Sequence, residues 1–227
     1  MKNPFYFLML IAAVSCTPLL NVTTTQNAKQ LWQQHKRVAI IPLLVTSGGF
    51  KNLKKENIEL EKRNMKKLSF SIQNNMYKVL LNQYNLSNLS VTLMPVDSVT
   101  QLLAQSGIVF SNLPSKNLNQ LCSILRVDAV VAGEVEFFNP ANILSGSNSY
   151  ETPAIEKALV SLHIYDKNQE KPIWTFREED KAKEYSDYYK RSGVTTVSNA
   201  EYLVAYMFDK AMKILPYVIK SPIKRTY

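Results

Sequence analysis

Hydrophobic residues are most concentrated at residues 126–138. Within this stretch an apolar run rich in β-branched residues changes into alternating apolar and polar positions. The run up to Gly133 predicts a strand that is buried on both faces. Beyond it, Glu134 and Glu136 alternate with apolar residues, which is the pattern of a strand with one solvent-exposed face. We therefore expect one strand to pass from the middle of a sheet to its rim.

The same periodicities predict the other elements in chain order. They are a buried strand over 38–44 with Pro42 near its end, a long helix over 56–83, a strand over 90–94, helices on either side of residues 108–115, a strand over 155–166, a returning strand over 173–178 and a last helix from Ser198. This order predicts an α/β fold, a three-layer sandwich. Its mixed sheet has parallel first strands, joined by right-handed crossovers, and an antiparallel C-terminal hairpin.

Residues that favour helix termini mark several of these boundaries. Asp97 is the expected N-cap of the helix before residue 108, and Gly107 is its expected stop. Ser115 is the expected cap of the helix that follows. Ser198 begins a capping box at the start of the last helix.

The first sixteen residues have the features of a targeting signal. Lys2 is followed by an apolar run over residues 5–14, which is too short for a membrane span but has the length of a secretory signal core. Residues 13–16 (AVSC) resemble the lipobox of bacterial lipoproteins. The resemblance implies cleavage before Cys16 and lipid on its sulfur and on the new amino group, which would anchor the chain stably in a membrane. The alternative is an ordinary secretory signal with a coincidental cysteine.

This signal and the composition behind it divide the chain into four expected parts. They are a signal peptide over 1–15, a flexible polar tether over 16–35, a single α/β domain over 36–218 and a basic tail over 219–227. Thr17 is not the aspartate that resembles an inner-membrane retention signal, and no acidic cluster follows it. The expected location is therefore the outer membrane, with the domain facing the periplasm.

Composition and charge narrow the function classes. The chain has 227 residues, of which 46% are hydrophobic and 20% charged, enough to bury an ordinary core. The net charge of +9 is spread along the chain without the interleaved aromatic residues of nucleic-acid readers, so we expect no nucleic-acid partner. Two cysteines do not make a disulfide framework, and Cys122 is expected to be a buried free thiol.

Few residues offer catalytic or metal-binding chemistry. His35 and His163 are too far apart in the sequence to predict a metal site. Glu134 and Glu136 share one strand face, as general acid/base pairs do, but a solvent-exposed strand edge explains them better. The sequence contains no nucleophile elbow, zinc-binding helix or Cys–His pair, and residues 46–49 lack the phosphate-loop pattern. We therefore expect neither enzyme activity nor a cofactor.

Three pieces of the chain, together with the lipobox, carry a family resemblance. They are residues 37–43 (RVAIIPL), 125–134 (LRVDAVVAGE) and 165–174 (YDKNQEKPIW), in this order within residues 30–227. The chain resembles small lipoproteins whose domain is similar to the amino-terminal domain of TolB. They include the curli-secretion lipoprotein and the lipoprotein activators of penicillin-binding proteins. The resemblance implies a non-enzymatic binding and assembly module at the outer membrane.

The expected partner is another component of the cell envelope, and we expect it to be a protein. Candidate contact surfaces are the polar loop 139–153 and a segment rich in tyrosine and basic residues, because tyrosine and arginine are favoured at interfaces. The candidate contact residues of that segment are Tyr185, Tyr188, Tyr189, Lys190 and Arg191.

Two alternatives of other classes stay open at this point. One is a scaffold that self-assembles into a homo-oligomer, such as a secretion-associated ring, which an exposed edge strand with apolar rim residues would favour. The other is an enzyme that acts on cell-wall glycan, which a pocket joining Glu134, Glu136 and His163 would favour.

Overall fold

The computed structural model describes residues 21–47, 55–83, 89–115, 117–138, 157–181 and 199–219, and these ranges form one mixed β-sheet with helices on both faces. The elements in chain order are β1 (Val22–Thr24), α1 (Ala28–Gln34), β2 (Arg37–Ile40), β3 (Leu44–Ser47), α2 (Lys55–Gln83), β4 (Thr92–Leu93), α3 (Val96–Gln105), a 3-10 helix (Phe110–Ser115), α4 (Leu118–Leu125), β5 (Ala129–Phe138), β6 (Lys157–Asp166), β7 (Trp174–Lys181) and α5 (Asn199–Ile214). Within these ranges no helix combines the length and the apolar composition that a membrane span needs.

The strands are ordered β1-β7-β6-β5-β2-β4, and β3 pairs with β5 beyond the end of β2. β2 and β3 run parallel to β5, and β4 runs parallel to β2. β6, β7 and β1 follow on the other side of β5 as antiparallel strands. The α/β fold is therefore confirmed, with parallel first strands and an antiparallel C-terminal hairpin in a mixed sheet.

Side chains alternate across the sheet and enter two separate hydrophobic clusters, one on each face. On the first face α1, α2 and α5 pack against strands that include β5, β6 and β7, where Phe137 and Trp174 are buried. On the second face α3 and α4 cover β2 and the first half of β5, with Leu121 and Leu125 in the core. Glu134, farther along β5, is exposed on this second face.

β5 confirms the strand that is predicted from residues 126–138. All ten of its residues pair with β6. Val130 and Val131 are buried on opposite faces, whereas Glu134 is exposed and Glu136 is half-buried. The change from a fully buried to a half-exposed strand lies at Gly133, as predicted.

The long helix and the last helix are also confirmed. α2 begins one residue before the predicted start, and its apolar stripe is buried. Of the predicted stripe, Val79 is half-buried and the others are buried, namely Met65, Leu68, Ile72, Met76 and Leu80. α5 begins at Asn199 and ends before Pro216, while the predicted cap Ser198 lies outside the described residues.

Two predicted helix caps are wrong. Pro95 holds the N-cap position of α3, and Asp97 lies inside its first turn, where a carboxylate is still favourable. Ser115 ends the 3-10 helix, so that Asn117 precedes α4 instead. Gly107 is confirmed as the stop of α3, because its φ of +69° is a conformation that glycine adopts without strain.

The predicted tether over residues 16–35 is wrong for its described part. Val22–Thr24 form β1, which pairs with β7, and α1 follows directly. Ala28 is 1% exposed, and Leu31 and Trp32 pack against the same core. The polar composition of this stretch hides a short apolar face at helical spacing, and the folded domain therefore includes both elements.

His35, Asp166 and Tyr217 form a buried hydrogen-bonded group that joins three distant parts of the chain. His35 Nε2 is 2.8 Å from Asp166 Oδ2, and its Nδ1 is 2.7 Å from the Tyr217 hydroxyl. All three residues are at most 5% exposed. Burial raises the pKa of Tyr217 well above its usual value, and the Asp166 carboxylate raises it further. The hydroxyl therefore stays protonated and can donate to His35, which fixes the end of α1 to the sheet.

Candidate functional site

Pro42 divides the first predicted strand in two and produces a β-bulge. β2 ends at Ile40, which pairs with Val131, and β3 begins at Leu44, which pairs with Glu134. Three residues between these pairs therefore face two residues of β5, which is the definition of a bulge. Proline cannot donate a hydrogen bond to the sheet, so the ladder is interrupted where it lies.

The bulge changes which side chains face the second side of the sheet. Ile40 and Leu43 enter the core beneath α2, whereas Ile41 and Pro42, between them, both line a pocket on the opposite face. In a regular strand, neighbouring side chains would point to opposite faces. The extra residue thus supplies two adjacent apolar side chains to one site.

Two fully buried polar residues of α2 complete the backbone hydrogen bonding at the bulge. The Ser69 hydroxyl donates to the Leu43 carbonyl oxygen, and Gln73 Nε2 donates to the Ile40 carbonyl oxygen at 2.7 Å. These side chains replace the bonds that a neighbouring strand would make, and they cover the sheet edge at the bulge. The bulge is therefore held from the side opposite the pocket.

Gly133 lies beside the bulge at a close approach between β5 and β6. A Cβ atom at this position would be 2.8 Å from Leu162 Cδ2 and closer still to the Ser161 carbonyl oxygen. Such separations are shorter than real Cβ contacts, so no larger residue fits without a shift of the strands. Glycine therefore lets the two strands approach where the pocket forms.

The pocket has a volume of about 200 Å³ and an apolar lining, with polar groups on one side. β5 contributes its floor, and the 3-10 helix and the start of α4 contribute one wall. The lining residues are Ile41, Pro42, Leu44, Phe110, Leu113, Leu118, Ala132, Gly133, Glu134, His163 and Tyr165. An apolar cavity with a few convergent polar groups is the usual form of a ligand site.

The polar side of the pocket consists of Glu134, His163 and Tyr165. Burial lowers the pKa of His163, the Glu134 carboxylate raises it, and Arg177 lowers it, so that the net change is downward. Burial and the Glu134 carboxylate both raise the pKa of Tyr165. At neutral pH the site therefore presents a neutral imidazole and a protonated phenol next to the exposed carboxyl group.

His163 connects the pocket to a second depression on the same face of the sheet. Its Nδ1 lies 3.0 Å from the Thr175 hydroxyl on β7. Thr175 lines the second depression together with Arg177 and Glu179 of β7, and with Thr23 of β1. The second depression thus offers the oppositely charged side chains of Arg177 and Glu179 beside apolar surface of Val22 and Leu159.

Few of the described lining residues of the pocket carry groups for acid–base chemistry. Among its described lining residues Glu134 is the one carboxylate, and glycoside hydrolysis normally needs two. In the parts of the chain that the structure describes, no group of three His, Cys, Asp or Glu side chains is placed to hold a metal ion. What the site offers is an apolar surface, a carboxylate at its rim and two neutral hydrogen-bonding groups.

The structure brings together some of the residues that the sequence singles out. Glu134 and His163 line the pocket, but the described lining does not include Glu136, which lies opposite Leu159 farther along β5. Tyr165 was missed, although its alternation with His163 along β6 is a signal that they share a face. Cys122 is confirmed as a buried free cysteine.

The other predicted site residues lie outside the described part of the chain. These are Cys16, the loop 139–153, and the candidate contacts Tyr185, Tyr188, Tyr189, Lys190 and Arg191. Their roles stay predictions.

Comparison with known proteins identifies no family. No protein-family model matches the chain, and a search of curated proteins finds no match. The fold assignment therefore rests on the sheet and the helices described above.

Several solved structures resemble the chain at low identity. Lipoprotein GNA1162 from Neisseria meningitidis is 12% identical with a TM-score of 0.40, covering 79% of this chain and 98% of that one. The LpoB C-terminal domain from Salmonella enterica is 10% identical with a TM-score of 0.36, covering 70% and 96%. The PelC dodecamer from Paraburkholderia phytofirmans is 10% identical with a TM-score of 0.37, covering 82% and 89%. Similarity at this level carries no argument about function.

Proposed function

We propose that this protein is a lipid-anchored binding module of the cell envelope, held at the outer membrane through Cys16 and facing the periplasm. The observation that carries the binding function is the apolar pocket above the bulge, with its polar groups on one side. The lipid anchor is supported by the signal and lipobox pattern of residues 1–16. Binding, and not catalysis, is the activity of the module.

The ligand that the pocket favours is an apolar side chain of a protein partner, next to a cationic or hydrogen-bond-donating group. The lining is mainly aliphatic and aromatic, which favours an apolar group. Glu134 is exposed at the rim and can accept a charge-assisted hydrogen bond from lysine or arginine. His163 and Tyr165 add neutral hydrogen bonds that orient the ligand.

The loop 139–153 and the residues Tyr185, Tyr188, Tyr189, Lys190 and Arg191 are proposed as further partner contacts. The loop follows β5 and precedes β6, and the tyrosine-rich segment follows β7. β5 and β6 line the candidate site and β7 is the next strand of the sheet, so both segments begin on strands of the site or beside it. Tyrosine and arginine are the residue types that most often dominate binding energy at interfaces.

Pull-down from crosslinked cells through a C-terminal tag tests this proposal. Glu134→Lys reverses the charge at the pocket rim, and we expect it to lower recovery of the partner at least tenfold. Glu170→Lys makes the same change at an exposed turn and should leave recovery unchanged. Cys16→Ala should abolish both membrane flotation and recovery. Equal recovery from Glu134→Lys and wild type would contradict the pocket, and flotation of Cys16→Ala would contradict the anchor.

The second candidate function is an enzyme acting on cell-wall glycan, because Glu134 and His163 do share a pocket. Glu134→Gln keeps the shape of the rim but removes the charge. Digestion of purified cell-wall glycan by wild type, and loss of that digestion in Glu134→Gln, would establish this alternative in place of binding.

A self-assembling ring has weaker support. The outer strands of the described sheet, β1 and β4, are short, and Thr23, Thr24 and Thr92 on them are exposed. Short polar edge strands disfavour edge-to-edge association.

A further inference from the structure

α2 turns a cationic side outward from the first face of the sheet. Opposite its buried stripe, outward-facing residues follow one another at the same three- and four-residue steps. They are Leu60, Arg63, Lys67, Ser71, Asn74 and Lys78. The exposed cations of this side and its flank are Lys62, Arg63, Lys66, Lys67 and Lys78, which we name the basic side of α2. From Lys62 to its end at Gln83 the helix contains no carboxylate.

The basic side is poorly neutralised by the protein itself. Lys62 pairs with Glu59 at 2.9 Å, but the two side chains are 62% and 64% exposed, so the pair contributes little. The other four cations of the basic side form no ion pair among the residues that the structure describes. On the neighbouring helix α5, in contrast, Lys213 pairs with Asp209.

The spacing of these cations is unfavourable for the helix alone. Lys62 and Lys66 are four residues apart, and so are Arg63 and Lys67. Like charges at this spacing repel each other and destabilise a helix in water. The stability of α2 therefore does not explain the basic side, whereas an anionic surface next to it would relieve the repulsion.

Exposed carboxylates of the strands lie on the other face of the sheet. Glu134 and Glu179 are exposed on the second face, and Glu136 is half-buried there. Arg177 is exposed beside Glu179 on the same strand. An anionic surface would therefore be attracted to the basic side of α2 and repelled by the carboxylates on the face that carries the pocket.

We propose that the basic side of α2 lies against the anionic phospholipid surface of the membrane that holds Cys16. The inference rests on the lipid anchor of the proposed function and adds the surface that contacts the bilayer. Asn21 follows Cys16 by five residues, or at most about 18 Å, which keeps the domain close to the bilayer without selecting one of its faces. The charge of α2 makes that selection.

The shape and length of the basic side fit a flat bilayer surface. Leu60 and Lys78 are about 27 Å apart along one side of a single helix. Each cation near an anionic membrane surface strengthens binding about fivefold. Leu60 is 58% exposed and adds an apolar contact at the interface. In this arrangement the pocket, on the second face, is directed away from the membrane and toward a partner.

Fluorescence quenching on vesicles tests the contact with labels on the two faces. The lipidated full chain is reconstituted in vesicles of phosphatidylethanolamine and phosphatidylglycerol that contain a headgroup-linked spin label. A bimane fluorophore is attached to Leu60→Cys on α2 or to Gln120→Cys on α4, both at exposed positions. Cys122 does not compete for the label, because burial, followed by the Asp166 carboxylate, raises the pKa of its thiol to about 12.

We expect the fluorophore at position 60 to be quenched by more than half and the one at position 120 to keep its unquenched intensity. Quenching at position 60 should fall at least twofold in phosphatidylcholine vesicles with the same spin label, and also at high salt. Lys66→Glu combined with Lys67→Glu should have the same effect. Lys36→Glu combined with Lys171→Glu makes the same charge change at exposed positions away from α2 and should leave the quenching unchanged.

Several results would overturn the contact while the anchor stands. They are equal quenching at both positions, stronger quenching at position 120, and quenching that ignores the lipid charge or the change at Lys66 and Lys67. A photocrosslink from p-benzoylphenylalanine at Lys67 to an envelope protein in cells would assign the basic side to a protein instead. Circular dichroism should show unchanged helix content in the variants, because like-charge pairs are removed. If mass spectrometry finds no lipid on Cys16 and the protein does not float with vesicles, the anchor and the contact are both wrong.

Discussion

Asp128 shows how single polar side chains hold the start of the sheet together. Its Oδ2 accepts hydrogen bonds from the backbone N–H groups of Lys36 at 2.9 Å and Arg37 at 3.1 Å, and its Oδ1 accepts one from Lys167 Nζ at 2.9 Å. Desolvation raises the pKa of Asp128, but these hydrogen bonds outweigh it and lower the pKa to about 2. One carboxylate thus connects β2, β5 and the turn after β6.

The pKa of Asp128 predicts a pH dependence of stability. The folded pKa of about 2 lies below the ordinary value of 3.8, so the charged form stabilises the native state above that value. The contribution is lost as the pH falls from about 4 through about 2. Because the side chain is 25% exposed, we expect Asp128→Asn to cost about 1 kcal/mol at neutral pH and nothing near pH 2. Urea unfolding of both proteins over this range measures the difference, and a constant gap would contradict the assignment.

Gly133 gives a second prediction at this scale. Gly133→Ala places a methyl group against the Ser161 carbonyl and Leu162, and we expect the free energy of unfolding to fall by about 1–3 kcal/mol. Gly107→Ala serves as the comparison, since its Cβ meets open space and only the left-handed backbone costs about 1 kcal/mol. Chemical denaturation measures both. Unchanged stability of Gly133→Ala would mean that β5 and β6 do not approach closely here.

At the scale of elements, the β-bulge depends on α2. Ser69→Ala leaves the Leu43 carbonyl oxygen without its buried donor, so we expect a loss of about 1–2 kcal/mol. Ser71→Ala is the matched control on the same helix, where alanine should be neutral or slightly stabilising because of its helix propensity. Thermal or urea unfolding compares the pair. If both variants unfold alike, the hydroxyl of Ser69 does not hold the bulge.

β1 and α1 provide a direct comparison between the boundary that the sequence predicts and the one that the structure shows. A chain that begins at residue 36 lacks both elements and leaves Asp166 and Tyr217 without their hydrogen bonds to His35. We expect it to be less stable by about 3 kcal/mol or more than a chain that begins at residue 20. Equal unfolding midpoints of these two soluble chains would show that residues 21–35 contribute no stability. That is the result expected if these residues were only a flexible tether.

The sequence predicts those helices and strands whose alternation of apolar and polar residues continues over enough residues to identify the element. β5, α2, the β6–β7 pair and α5 fall into this group, because ten or more residues repeat a pattern or a turn separates two alternating runs. α1 has only two turns, and its polar residues outnumber Ala28, Leu31 and Trp32. The bulge at Pro42 was missed because it is defined by how β2 and β3 pair with β5. The residues of 37–47 alone do not show this pairing.

The site was less predictable than the fold, because its residues meet only through contacts between distant parts of the chain. The sequence offered a pocket of Glu134, Glu136 and His163 as one alternative, and Glu134 and His163 do line one, because the strands that carry them could be predicted. The group of His35, Asp166 and Tyr217 has no local signal, because its members are separated by 131 and 182 residues from His35. Buried Ser69 and Gln73 look like surface residues to any pattern based on polarity.

At the scale of the whole molecule, the first described strand and the pocket belong to one sheet. β1 pairs with β7 at one edge of this sheet, and β5 and β6 carry the pocket farther in.

Site-specific photocrosslinking in living cells tests the central claim that the pocket binds an envelope protein. Phe110, which lines the pocket, is replaced by p-benzoylphenylalanine, and Lys78 on the exposed face of α2 receives the same replacement as the control. We expect one crosslinked product of defined mass at Phe110 that disappears in the Glu134→Lys and Cys16→Ala backgrounds, and no such product at Lys78. No product at Phe110, or the same products at both positions, would contradict a binding function for this pocket.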